Sequence, residues 1–241
     1  MLQVRGIDLN RESLARMIDY SVLHPFAQKK DIEEGLQFCR EFTFNSFCVN
    51  PNFLEMVVKG LEGTDVEPSV VLDFPFGSGT GKIKQAAAEN AVECGAKALD
   101  MVIDIGALKD KNYKLVTAEI RALAKAAAGA KTKLIIEVAY LTPEEIVAAC
   151  KCVEEGGGSY VKSSTGRADR GPTMAEVKLM RDSVSEDVGV KVAGTGRFWT
   201  SQIAFGCILA GADLIGTRAG PQIVNDLPLL EEMYGNRLRV V

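Results

Sequence analysis

The sequence predicts one α/β domain over residues 1–241, folded as a (β/α)8, or TIM, barrel. Its 241 residues suit a single barrel better than two small domains. Short β-branched runs alternate eight times with longer amphipathic segments, and eight βα units in a chain of this size favour a closed parallel sheet. Several of the strands also pair a wholly apolar face with a face that carries charges. That pattern fits strands with helices outside and a charged interior.

Residues 17–22 read as the first strand, and 31–41 as its helix with Asp31 at the N-cap. Residues 46–49 form the second strand, and 52–60 a helix ended by glycine. The third unit is 69–74 and 82–94, and the fourth is 98–104 and 113–128. The fifth strand is 133–139; its helix opens at Thr142-Pro143, a cap followed by proline at the first helical position. The remaining units are 159–163 with 173–183, 190–193 with 200–209, and 214–217 with 223–234. Residues 1–10 mix Arg5, Asp8 and isolated apolar residues and carry no element signal.

The formal charge of −4 comes without a basic block, which argues against a nucleic-acid partner. No apolar run approaches the ~20 residues that span a bilayer, and the N-terminus lacks a signal-peptide core, so no membrane role and a cytoplasmic location are expected. The six cysteines form no C-x-x-C pair and read as reduced thiols. With one histidine, His24, no metal site built on two is available, and no cofactor is called for. Apolar helix surface is sufficient for a homo-oligomer.

Alternation puts Leu99, Met101 and Ile103 on one face of the fourth strand, opposite Asp100, Val102 and Asp104. In the fifth, Leu134, Ile136 and Val138 oppose Lys133, Ile135 and Glu137. The polar faces point inward, joined by Asp19, Lys162 and Lys191 from strands one, six and seven. Charges inside a barrel are costly unless paired or used. Adjacent strands lie ~4.8 Å apart, close enough for the ammonium groups of Lys162 and Lys191 to meet. Each then disfavours the other's charge, burial lowers both pKa values, and a neutral amine attacks carbonyl carbon. The small residues Ser163, Ser164, Thr165 and Gly166 after Lys162 admit a substrate. A lone buried lysine is more often part of a structural ion pair; the constellation is what points to chemistry.

The words Ile18-Asp19, Phe47-Cys48-Val49-Asn50-Pro51, Asp73-Phe74-Pro75-Phe76-Gly77, Asp100-Met101-Val102-Ile103-Asp104-Ile105-Gly106-Ala107-Leu108, Val161-Lys162-Ser163-Ser164-Thr165-Gly166 and Val190-Lys191 occur in one order. In this the chain resembles the deoxyribose-phosphate aldolase family over nearly its full length. The resemblance implies a class I lyase in which Lys162 forms the Schiff base and Lys191 depresses its pKa. Asp100 would shuttle protons with a water, Asp19 and Lys133 would support the site, and Cys48 would lie near the pocket or simply pack. The implied substrate is a sugar phosphate, cleaved to acetaldehyde and glyceraldehyde 3-phosphate.

The phosphate end departs from the family pattern. Lys191-Val192-Ala193-Gly194-Thr195-Gly196-Arg197 replaces a lysine-Ala-Ser-Gly-Gly-Ile-Arg word, and Gly216-Thr217-Arg218-Ala219-Gly220 replaces Gly-Thr-Ser-Ser-Gly. Backbone amides of Gly194, Thr195 and Gly196, with Arg218 and Arg197, remain as candidate anion ligands. A sibling aldolase with another phosphorylated or carboxylated substrate is the alternative, and a non-catalytic sugar-phosphate-binding barrel the alternative of another class. Arg167 to Arg170 form a loop that reaches the substrate or faces water; His24 sits at the pocket rim or packs on its loop, and Trp199 covers the site or packs beneath its helix, with packing the favoured reading of both.

Overall fold

The computed structural model describes residues 2–195 and 199–235. Among them, eight parallel strands close in the order β10-β3-β4-β5-β6-β7-β8-β9, the barrel expected. A hairpin of β1 (Leu2–Val4) and β2 (Ile7–Leu9) precedes the barrel. The barrel strands are β3 (Ile18–Val22), β4 (Ser46–Val49), β5 (Glu67–Leu72), β6 (Ala98–Val102), β7 (Lys131–Ile135), β8 (Tyr160–Lys162), β9 (Gly189–Ala193) and β10 (Leu214–Thr217). The helices run α1 (Arg11–Ala15), α2 (Lys29–Phe42), α3 (Leu54–Gly60), α4 (Gly81–Glu93), α5 (Ile105–Lys109), α6 (Tyr113–Ala126), α7 (Pro143–Gly156), α8 (Met174–Asp182), α9 (Ser201–Leu209), α10 (Gly220–Asn225) and α11 (Leu227–Tyr234).

Local chemistry sets these boundaries. Thr142 caps α7 by accepting from the Glu145 N–H, with Pro143 at the first helical position. Thr173 and Glu176 repeat the reciprocal cap at α8, and Thr200 caps α9. Asp31 is not the N-cap of α2: it sits inside the first turn, and its carboxylate accepts the Gln28 N–H at 2.8 Å. The last predicted helix is two, α10 and α11, meeting at Asp226. The N-terminal hairpin and α1 were not foreseen; Arg5 and Gly6 both take positive φ in the turn between β1 and β2.

The outward residues Leu99, Met101, Leu134, Val161, Val190 and Ile215 join one apolar cluster with the helices. Burying each such side chain is worth about 1.5–3 kcal/mol. Arg5 donates to the Ala212 carbonyl and pairs with Asp213, just ahead of β10, so the hairpin lies at the N-terminal end of the strands. The other end is left open for the loops. All six cysteines are free thiols, and burial pushes those of Cys150 and Cys207 up to about 12.

Three predicted strands end at least two residues early, β5 at Leu72 among them. β6 stops at Val102, and Asp104 instead caps α5 by accepting the Ala107 N–H at 2.9 Å. β7 stops at Ile135, and Glu137 turns through a left-handed φ of 53° into a short 3-10 helix, Val138–Tyr140. Neither acid belongs to the charged interior that alternation assigned to it.

Candidate active site

Pairing brings the inward residues level. Asp100 is opposite Lys133, Ile135 opposite Lys162, and Lys162 opposite Lys191. Asp19, Asp100 and Lys133 are fully buried, and Lys162 and Lys191 nearly so. The Asp100 carboxylate accepts from Lys162 Nζ at 2.6 Å and from Lys191 Nζ at 2.7 Å. Asp19 takes Lys191 and Lys133, each at 2.6 Å, while Lys133 also stands 3.9 Å from Asp100. Two residues that sequence reasoning missed complete the shell. Asn45 donates to Asp19 at 2.7 Å, and Ser69 to Asp100 at 3.4 Å.

Three buried lysine side chains therefore face two buried carboxylates. The lysine with the weakest anionic support is the one that gives up its proton. Lys191 bridges both carboxylates; burial works against its charge, but Asp100 and Asp19 more than offset it, and its pKa is raised. Lys162 has Asp100 alone, and burial, aided by the Lys191 charge, lowers its pKa below the usual lysine range. Burial alone would raise the pKa of Asp19 and Asp100, yet the lysines hold both down and both stay ionised.

A cavity of about 260 Å³ opens above this cluster at the C-terminal ends of the strands, where sites of this fold lie. Lys162 and Lys191 reach its floor, with Cys48, whose thiol burial pushes up to about 11. Thr165, Gly166, Gly194 and Arg218 line the wall. Asp19, Asp100 and Lys133 lie beneath the floor and act on the cavity through the lysines. Thr195 is half-buried and outside the lining; Gly196 and Arg197 fall outside the described residues.

Gly166 takes φ +78°, and a Cβ there would stand 2.8 Å from the Gly194 carbonyl oxygen, so the wall closes only around a glycine. Gly216 likewise leaves space for Lys191, whose Cε would meet an added Cβ at 3.0 Å. His24 and Trp199, read from sequence as packing residues, both line the cavity; His24 also stacks on Phe26. Burial, Arg167 and Arg218 lower the His24 pKa.

Arg167 lines the mouth, with its guanidinium on the Leu23 carbonyl at 2.7 Å. Arg170 turns to Glu176 instead. Arg218 lies 3.3 Å from Glu34 and 3.6 Å from Asp31 on α2, half committed to that helix. Arg167 was legible as a charge in a loop; its place at the mouth depends on how the loop folds back toward β3.

The profile of the DeoC/LacD family of aldolases matches residues 14–197. A deoxyribose-phosphate aldolase of Streptococcus pneumoniae (strain Taiwan19F-14) is 43% identical over 211 residues, 88% of this chain and 95% of that protein. A solved structure from Coccidioides immitis, provisionally assigned as a deoxyribose-phosphate aldolase, is 33% identical with a TM-score of 0.86. It covers 91% of this chain and 87% of its own. A tetrameric deoxyribose phosphate aldolase of Aeropyrum pernix shares the fold at 24% identity and a TM-score of 0.83, over 92% of this chain and 93% of its own.

Proposed function

The chain belongs to the DeoC/LacD family of aldolases and is a carbon–carbon lyase, and we propose that it reversibly cleaves 2-deoxyribose 5-phosphate through a Schiff base on Lys162. The observation that carries this reading is the unequal support of the two floor lysines, Lys191 held by two carboxylates and Lys162 by one. That inequality leaves Lys162 as the amine able to attack.

In the cleavage direction the Lys162 amine adds to the sugar aldehyde, and loss of water gives a protonated imine. The hydroxyl proton at the third carbon is then removed, the bond between the second and third carbons breaks, and glyceraldehyde 3-phosphate leaves. The electron pair passes to the imine nitrogen as an enamine. Protonation at carbon and hydrolysis free acetaldehyde and restore the amine. The imine is the electron sink, so this chemistry needs neither metal nor cofactor. Asp100, 2.6 Å from the Lys162 nitrogen, is the group placed to exchange these protons. Lys191 stays charged, keeps Lys162 neutral and steadies negative charge on substrate oxygens. Asp19, itself held by Lys133, fixes Lys191.

The phosphate lies toward Arg167 and Arg218, with the Gly194 amide at the turn after β9. Thr165, Gly166 and Cys48 shape the wall between the two ends. The site of action is the cytoplasm, and the working form is a homo-oligomer, a reading supported by the tetrameric structure of the Aeropyrum pernix relative; among the described residues no helix is long and apolar enough to cross a membrane.

Direct assay tests the substrate. Incubation with 2-deoxyribose 5-phosphate is expected to release acetaldehyde, and 2-deoxyribose alone much less of it. Equal release from both, or release only from a carboxylated analogue, would reject the phosphate assignment.

A further inference from the structure

Glu137 is a buried acid for which the mechanism has no use. Its side chain is 2% exposed, and its backbone sits at φ 53°, ψ 70°, a costly conformation for a residue with a side chain. One carboxylate oxygen accepts both the Thr165 N–H, at 3.0 Å, and the Thr165 hydroxyl. The other is buried with no hydrogen-bond partner among the described residues. Among those residues it makes no ion pair either; Arg170, which senses its charge, is bound to Glu176 at 2.8 Å. A carboxylate so placed is expensive. Local strain of this kind persists where the geometry that it enforces is used.

The enforced geometry is directional. A carboxylate only accepts, so the Thr165 hydroxyl must donate to it. The hydroxyl lone pairs then face the Arg167 N–H, which they accept at 3.0 Å. Between them Gly166 is held left-handed against the Gly194 carbonyl. Arg167 continues the chain across the mouth to the Leu23 carbonyl. Glu137 itself does not line the cavity, and it makes no hydrogen bond to the lysine–aspartate cluster.

We propose that Glu137 is a positioning residue, which sets the Thr165-Gly166-Arg167 segment and through it the grip on the anionic end of the substrate. The inference rests on the aldolase reading of the cavity, and it separates binding of the far end from chemistry at Lys162.

Kinetics of Glu137→Ala and Glu137→Gln with 2-deoxyribose 5-phosphate and with 2-deoxyribose test it, alongside borohydride trapping of acetaldehyde. For Glu137→Ala the KM for the phosphorylated sugar is expected to rise about tenfold or more, the loss of a buried charged hydrogen-bond pair. Its preference for the phosphorylated over the plain sugar falls by a similar factor, while kcat and trapping hold. Glu137→Gln keeps an acceptor oxygen for Thr165 and restores most of the preference. Should Glu137→Ala not fold, Thr165→Val, which removes the hydroxyl and keeps the shape, is expected to show the same loss of preference. An unchanged preference in the folded variant, or a fall in kcat and trapping at constant KM, overturns the proposal. Failure of the parent protein to trap acetaldehyde would instead bring down the lysine reading and this proposal with it.

Discussion

Lys162 and Lys191 are near neighbours in one dry interior, yet they end with opposite charge tendencies because the carboxylates are shared unequally between them. Activity should therefore rise with pH through the lowered Lys162 pKa and then level off. In Lys191→Met the neighbouring cation is gone, and the acid limb of the pH–rate profile should move up by about one to three units, read as lost turnover at pH 7 that returns at higher pH. Asp19 adds a stability signature. Its folded pKa lies well below the ordinary value, so its contribution is complete above the unfolded pKa of ~3.9 and is lost as pH falls beneath it. Thermal midpoints should be level between about pH 5 and 7 on this account and should drop below about pH 4. Asp19→Asn leaves two buried ammoniums short of an anion and is expected to cost about 3–5 kcal/mol in denaturant unfolding. The inward lysines and aspartates were legible in the sequence, because strand alternation assigns a face without knowledge of the fold. Asn45 and Ser69 were not, because their role appears only when distant strands close side by side.

At the scale of elements, strand identity was legible and strand ends were not. Adjacent Val, Ile and Leu residues mark β5, β7 and β10, but nothing in Ile136-Glu137-Val138 announces that the chain leaves the sheet after Ile135. Glu137 was consequently assigned to the interior, when its left-handed backbone carries it to the Thr165 segment. The Thr142-Pro143 cap read well, since it acts through a hydrogen bond within three residues; Thr200, taken as the first helical residue, is the cap of α9. The α2 cap was misplaced because Gln28 and Asp31 share the task. The wall between β8 and β9 makes a sharp demand on sequence. Gly166→Ala forces a Cβ toward the Gly194 carbonyl at positive φ, a strain of about 1–3 kcal/mol. It should raise KM by at least several-fold and lower the thermal midpoint; an unaltered KM would show that this wall does not touch substrate.

Over the whole molecule, the two ends of the barrel divide the work. The cavity occupies the C-terminal end above the charged cluster, and the β1–β2 hairpin lies at the other end, burying Leu2, Val4 and Leu9. Deleting residues 2–9 is expected to lower the thermal midpoint by about 10 °C or more, from three lost apolar side chains at 1.5–3 kcal/mol each. Activity at 25 °C should survive. The barrel itself was legible from eight repeats of strand and helix, whereas the hairpin hid in a segment too short and too mixed to show a period. Lys162 gives up its proton more readily than an ordinary lysine, and its amine bonds to a carbonyl carbon. Acetaldehyde with borohydride at pH 7, followed by peptide mass mapping, tests this most directly. The expected result is one added ethyl group on Lys162, missing in Lys162→Met; an unmodified Lys162, or the ethyl group on another lysine, would rule out Lys162 as the Schiff-base amine.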